Sequence, residues 1–262
     1  MQVQFFGVRG SIATAGDDTR RYGGNTSCVA VRAAGQTLIF DAGTGIRRLG
    51  NELQREGAVD AHLFFSHLHW DHIQGFPFFG PAFAPKNRLS VYGVQAPAVA
   101  APLPESPFDE ASIEDAPQTL HDGAPFVDAT NGVRAAMAAQ MTAPNFPVGL
   151  DVMRADLRFF DVPYGERNHV GPVLVRHVGV DHPNGCVAYR VEHARTSVVY
   201  ATDLELAEGT DGQVFDALVD LAKDADLLVF DAMYTPEEYA GIDTFSRKGW
   251  GHSTYEMGAA VA

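Results

Sequence analysis

Apolar and polar positions along this chain fall into two rhythms. Short apolar runs punctuated by turn residues recur through the first third and again after residue 171. Residues 2–8 (QVQFFGV), 26–33 (TSCVAVRA), 35–43 (GQTLIFDAG), 61–67 (AHLFFSH) and 88–94 (RLSVYGV) read as strands. So do 172–180 (PVLVRHVGV), 186–193 (CVAYRVEH), 196–203 (TSVVYATD) and 226–233 (DLLVFDAM). The second rhythm is helical. TGIRRLGNELQREG places Leu49 and Leu53 on one face. QVFDALVDLAKDA predicts another helix, and a further helix-like stretch lies in residues 135–160, followed by FPVGLD. The final segment, GHSTYEMGAAVA, starts a helix whose Ser253 and Glu256 fit a capping box.

Residues 94–134 break both rhythms. QAPAVAAPLPESPFDEASIEDAP is rich in Ala, Pro and acids, and reads as an insertion, part loop and part short helix. A lid, a surface loop or an oligomer contact all fit it. The element order is neither a regular βαβ repeat nor all-β. Two sheets with helices outside, in one domain over residues 1–262, suit it best. No internal repeat interrupts that reading.

Composition adds limits. The chain has 262 residues, 46% of them hydrophobic, enough for a packed core. Its formal net charge is −14. Such a chain repels polyanions at long range, which argues against nonspecific binding to nucleic acid or to an acidic membrane. A phosphorylated small molecule held through a cation stays open, because a bound ion dominates its local field. The N-terminus lacks a signal-peptide pattern, and no apolar run reaches transmembrane length. Cys28 and Cys186 sit in strand contexts and read as small buried residues, not a disulfide. The cytoplasm is the default location.

The chemistry concentrates in FFSHLHWDHIQG, where His67, His69, Asp71 and His72 follow an apolar strand. Imidazole nitrogen and carboxylate oxygen suit Zn²⁺, with Mn²⁺ or Fe as alternatives. Two such ions can activate water and clamp a phosphoryl or carbonyl oxygen. Further ligands are needed. Asp203 closes the apolar run SVVYATD, as a strand-end ligand or as a turn residue. His182 lies in VGVDHPNG, as a ligand or as a turn histidine. His177, mid-strand, and His169, in a polar loop, rank below it. In the N-terminal loop, Gly10, Ser11, Gly23, Gly24, Asn25 and Thr26 with Arg9, Arg20 and Arg21 could face a phosphate. Tight-turn chemistry is the stronger reading of the same segment.

FSHLHWDHIQG, with IFDAG, DHPNGCVAYR, YATD and GWGHST in that order, resembles the metallo-β-lactamase superfamily of hydrolases. GVRGSIATAG, YGGNTSCVAV and GHST look like its phosphodiesterase branch, which includes tRNA 3′-processing nucleases and cyclic-phosphate phosphodiesterases. The resemblance implies an α/β fold of α+β type, an αββα sandwich of two mixed sheets with outer helices. It implies two divalent ions, zinc first, with His67, His69 and His182 on one, Asp71 and His72 on the other, and Asp203 bridging. Asp41 would orient the histidine loop. His252 and Asp71 are the candidate catalytic residues, His252 as general acid.

Two departures matter. In the branch a seventh ligand follows the GHST helix on a strand. This sequence ends inside that helix, so the last strand is expected to be missing through truncation. His252 taking over that duty, or a weakly held second ion, are the alternatives. The insertion is acidic (Asp109, Glu110, Glu114, Asp115), unlike the basic arm of the tRNA-processing members. The expected reaction is therefore hydrolysis of a small phosphodiester or cyclic phosphate, with a long nucleic acid and a membrane both discounted as partners and a homodimer compatible. A carbonyl hydrolase (lactone, thioester or β-lactam) and a non-enzymatic sensor module are the competing readings.

Overall fold

The computed structural model describes residues 1–94, 132–163, 165, 167–206, 212–242 and 244–262. Most of the expected insertion at 94–134 lies outside them. The chain runs β1 (Gln2–Gly7), β2 (Cys28–Ala33), β3 (Gln36–Phe40), α1 (Ile46–Glu56), β4 (Asp60–Phe65), α2 (Trp70–Ile73), β5 (Arg88–Val94), α3 (Gly132–Ala139) and β6 (Asp156–Val162). It continues with β7 (Asn168–Val170), β8 (Val173–Val180), β9 (Cys186–His193), β10 (Thr196–Ala201), α4 (Gly212–Ala222), β11 (Leu227–Phe230), α5 (Pro236–Ala240) and α6 (Tyr255–Val261). The strands form a six-stranded sheet, β1-β2-β3-β4-β5-β6, and a five-stranded sheet, β11-β10-β9-β8-β7. Two sheets with helices are what the sequence pattern predicts, and mixed strand directions are what the resemblance implies. Among the described residues no helix is long and apolar enough to cross a membrane.

Backbone packing groups the described residues into two compact units. The first takes 1–94, 132–175 and 192–196. In its sheet, β1 to β3 pair antiparallel and β3 to β6 pair parallel. Its core gathers Ile46, Leu49 and Leu53 of α1, spaced at helical intervals, with Leu63 and Phe65 of β4 and Val91 of β5. β6 was not read from the sequence. Its Leu157 and Phe159 pack on that core while Asp156 is exposed, the alternation of a half-buried strand. Cys28 and Cys186 are buried free thiols, as read. Burial, with Asp41 adding to it, pushes the Cys28 thiol well above its usual range, which disfavours the nucleophilic thiolate.

The second unit takes 176–191 and 197–262. β10 and β11 pair parallel, and α4 and α6 cover a core of Val180, Cys186, Val199, Leu218 and Val261. The buried Arg190 of β9 donates to the carbonyls of Leu221 and Lys223 at 2.8 and 2.7 Å and to Ser197 Oγ at 2.9 Å. It satisfies the C-terminal carbonyls of α4. The capping box expected of Ser253 and Glu256 does not form. The N-cap of α6 is Thr254, whose hydroxyl accepts from Met257 N. Ser253 is turned inward, donating to Leu204 O at 2.6 Å and accepting from Leu206 N at 3.2 Å.

Candidate metal centre

The parallel pairing of β3 with β4 sets Asp41 beside Ser66. Phe40 is level with Phe64, and Asp41 N donates to Phe64 O at 2.9 Å. Asp41 is fully buried in a left-handed backbone conformation, φ 61°. Its Oδ1 accepts from Ser66 N at 2.8 Å, and its Oδ2 from Ser66 Oγ and His72 Nδ1, both at 2.8 Å. Protonation follows from these contacts. A carboxylate only accepts, so His72 carries its proton on Nδ1. Ser66 spends its one proton on Asp41, so at 3.1 Å it accepts from His67 Nδ1. Both imidazoles therefore present Nε2 with a lone pair, the form that binds metals.

The loop after β3 also fixes α2. Ala42 N donates to His72 O at 2.7 Å and Gly75 N to Ala42 O at 2.8 Å. A Cβ on Gly43 would come within 2.4 Å of Asp71 O, so the close approach requires glycine. The rings of His69 and His72 lie 4.5 and 4.2 Å from that of His67. Asp71 Oδ2 accepts from Ser11 N at 2.8 Å and sits 3.5 Å from His72 Nε2. All four residues of the predicted cluster thus converge.

The second unit holds a matching group. Asp203 follows β10 with φ 50° and accepts from Thr202 Oγ1 at 2.5 Å. Asp231 follows β11, and its N–H donates to Ala201 O at 2.9 Å. Its Oδ2 accepts from His252 Nδ1 at 2.8 Å and Leu204 N at 3.1 Å. Burial pushes the Asp231 carboxyl up, and the bond from His252 opposes that. His182 Nδ1 lies 2.7 Å from Gly251 O, again an acceptor. His182, Asp203 and His252 each offer one ligand atom, all within 4.8 Å of one another. Among the described residues, His177 and His169 join no such group. His177 is buried against Tyr189. Sequence reasoning missed Asp231 and Glu205, although DLLVFDAM carries the same signal as IFDAG, an apolar run closing on a carboxylate.

In the N-terminal loop, Thr26 and Thr44 exchange two hydrogen bonds at 2.9 and 2.8 Å, and Thr44 Oγ1 donates to Asn25 Oδ1 at 3.2 Å. A Cβ on Gly24 would overlap Thr14 O. These contacts are turn and anchoring chemistry.

A ribonuclease Z from Haloarcula marismortui is 41% identical over 80 residues, 29% of this chain and 22% of that protein. The chain thus spans about a fifth of that relative's length. A ribonuclease Z from Haloferax volcanii is 26% identical over an alignment covering 100% of this chain and 80% of that protein. The structure of human tRNase Z, short form, superposes with a TM-score of 0.60 at 18% identity, over 100% of this chain and 87% of that one, a likeness of fold. These relatives overturn the expectation that discounted a long nucleic acid: they are named as ribonucleases. The physical fault in that expectation was to let a whole-chain charge stand for the local field, which a bound cation would dominate. The sequence pattern of the beta-lactamase superfamily domain matches residues 36–262, and the chain belongs to that family.

Proposed function

We propose that this chain is a metal-dependent phosphodiesterase that cleaves RNA by attack of water on phosphorus. One observation carries the reading. His67, His72 and His182 each hold Nδ1 against an acceptor, so each offers Nε2 as a lone pair, and His252 holds its Nδ1 against Asp231. The Asp71 carboxylate lies 3.5 Å from His72 Nε2, and Asp203 groups with His182 and His252. This donor set fits divalent Zn²⁺, Mn²⁺ or Fe. The resemblance assigns His67, His69 and His182 to one ion and Asp71 and His72 to a second, with Asp203 shared. The chemistry that bound ions supply is Lewis acidity toward the phosphoryl oxygen and a lowered pKa for the attacking water.

The chain's own residues do the rest. Asp41 and Ser66 orient His67 and His72, and Ser11 N holds Asp71. His252, paired with Asp231, gives a proton to the leaving oxygen. For that step it must be an imidazolium, a form the Asp231 carboxylate favours. Its grouping with His182 and Asp203 supports a second role, as a neutral metal ligand. The two roles need different protonation states, so they are separable. If His252 is the acid, His252→Ala slows RNA cleavage more than hydrolysis of bis(p-nitrophenyl) phosphate, whose leaving group needs no proton. If it is a ligand, the variant loses bound metal and both rates fall together. His67→Ala and Asp203→Ala should each abolish both activities. Wild-type rates in those variants, or a preference for a lactone or β-lactam, would overturn the proposal.

A further inference from the structure

Glu205 is a buried carboxylate that the metal ligands leave unused. It lies just past Asp203, is 4% exposed, and gathers three donors. Its Oε1 accepts from the Tyr239 hydroxyl at 2.5 Å and from Gly249 N at 2.7 Å. Its Oε2 accepts from Gly251 N at 2.7 Å. Its own N–H donates to Asp181 O at 2.8 Å, next to His182. One side chain therefore ties α5 to the 249–251 loop, while its backbone is tied beside His182. Burying an ionised carboxylate is costly unless donors replace its water, and three do so here.

The hold on Gly251 bears on His182. Gly251 O lies 2.7 Å from His182 Nδ1, and a carbonyl only accepts, so Nδ1 carries the proton and Nε2 the lone pair. The peptide is pressed hard against the ring. Gly251 has φ +81°, and a Cβ there would stand 2.5 Å from His182 Nδ1 and 2.4 Å from Pro183 Cδ. No other residue type fits that position without moving the imidazole.

We infer that Glu205 is the positioning residue that fixes the tautomer and orientation of His182, by clamping the 249–251 loop against it. Glu205 thereby sets the affinity of His182 for a divalent cation. The inference rests on the reading of His182 as a ligand. Glu205→Gln keeps the shape and spoils the clamp. Its amide can satisfy one glycine N–H through oxygen but turns N–H₂ toward the other donors. The Tyr239 hydroxyl can rotate to accept from it, whereas a glycine N–H cannot.

Zinc alone is the probe, titrated against a chromophoric chelator, and long-range ¹H–¹⁵N spectra report the His182 tautomer in the metal-free chain. Glu205→Gln should weaken zinc binding about 10- to 100-fold and mix the His182 tautomers. Tyr239→Phe, which leaves both glycine bonds in place, should keep zinc affinity close to wild type. Unchanged affinity with an unchanged tautomer in Glu205→Gln overturns the inference. So does an Nε2-protonated His182 in the metal-free wild type, a result that needs no variant and stands even if Glu205→Gln does not fold. A wild-type chain that binds no zinc sinks the metal reading, while the tautomer still decides whether Glu205 positions the ring.

Discussion

Asp41 and Asp231 each follow directly on the last residue of a strand, and each turns a carboxylate toward an imidazole Nδ1. Such a carboxylate stabilises the Nδ1–H tautomer and leaves the far nitrogen for chemistry. Asp41 is the more heavily loaded, with three donors on two oxygens. In Asp41→Asn the amide group would face a donor in place of an acceptor. Zinc affinity should fall about 10- to 100-fold through His72. Folding stability should fall by about 1–3 kcal/mol, because buried donors lose their acceptor. Chelator competition and urea melts measure the two losses, and wild-type values for both would show that Asp41 orients nothing. The His67–His72 cluster was legible because four ligand-type residues stand within six positions. Asp41 and Asp203 were legible because each interrupts an apolar run. Asp231 bears the same local mark, but its role depends on β10 pairing with β11, which brings it to Leu204 and His252 across the chain. Glu205 had no local mark, since its partners lie 34 to 46 residues away.

At the scale of elements, the start of α6 couples helix formation to the site, because His252 stands two residues before its N-cap. The spacing of Ser253 and Glu256 fits a capping box, yet Thr254 caps the helix and Ser253 joins it to the segment after β10. The two neighbours therefore have different stability roles. Thr254→Ala should cost about 1 kcal/mol, the usual worth of an N-cap hydroxyl. Ser253→Ala leaves a buried carbonyl and a half-buried N–H without their partner and should cost about 1–3 kcal/mol, the larger of the two. Chemical denaturation of both variants tests the order, and a greater loss from Thr254→Ala would return the cap to a dominant role. Strands with long apolar runs, such as β4 and β9, were plain in the sequence because both faces are covered. β6 was hidden by its alternation, in which polar Asp156, Arg158 and Asp161 interrupt the apolar positions, and β7 by its length of 3 residues. Arg190 lies in an otherwise buried strand. Only the structure shows that its charge is absorbed by the end of α4.

At the scale of the whole molecule, a chain of net charge −14 is proposed to act on a polyanion, and the two facts make a measurable demand. A protein that grips RNA through many Lys and Arg contacts releases counterions, so its affinity falls steeply as salt rises. Six to ten phosphate contacts would weaken binding about 10³- to 10⁵-fold between 50 and 200 mM salt. This chain has 19 Lys and Arg against 33 Asp and Glu, and at long range it repels the substrate. On the proposed function, attraction must then come from short-range contacts at the His and Asp groups, where a bound ion would outweigh the distant carboxylates. Added salt screens the long-range repulsion, because the Debye length shrinks to about 8 Å near 0.15 M. The KM for RNA should therefore stay flat or fall across that salt range when metal is saturating. A KM that climbs by orders of magnitude would reveal a basic binding surface that the net charge conceals. It would also separate RNA affinity from the metal groups, since His67→Ala would then lose turnover while keeping the salt-dependent binding.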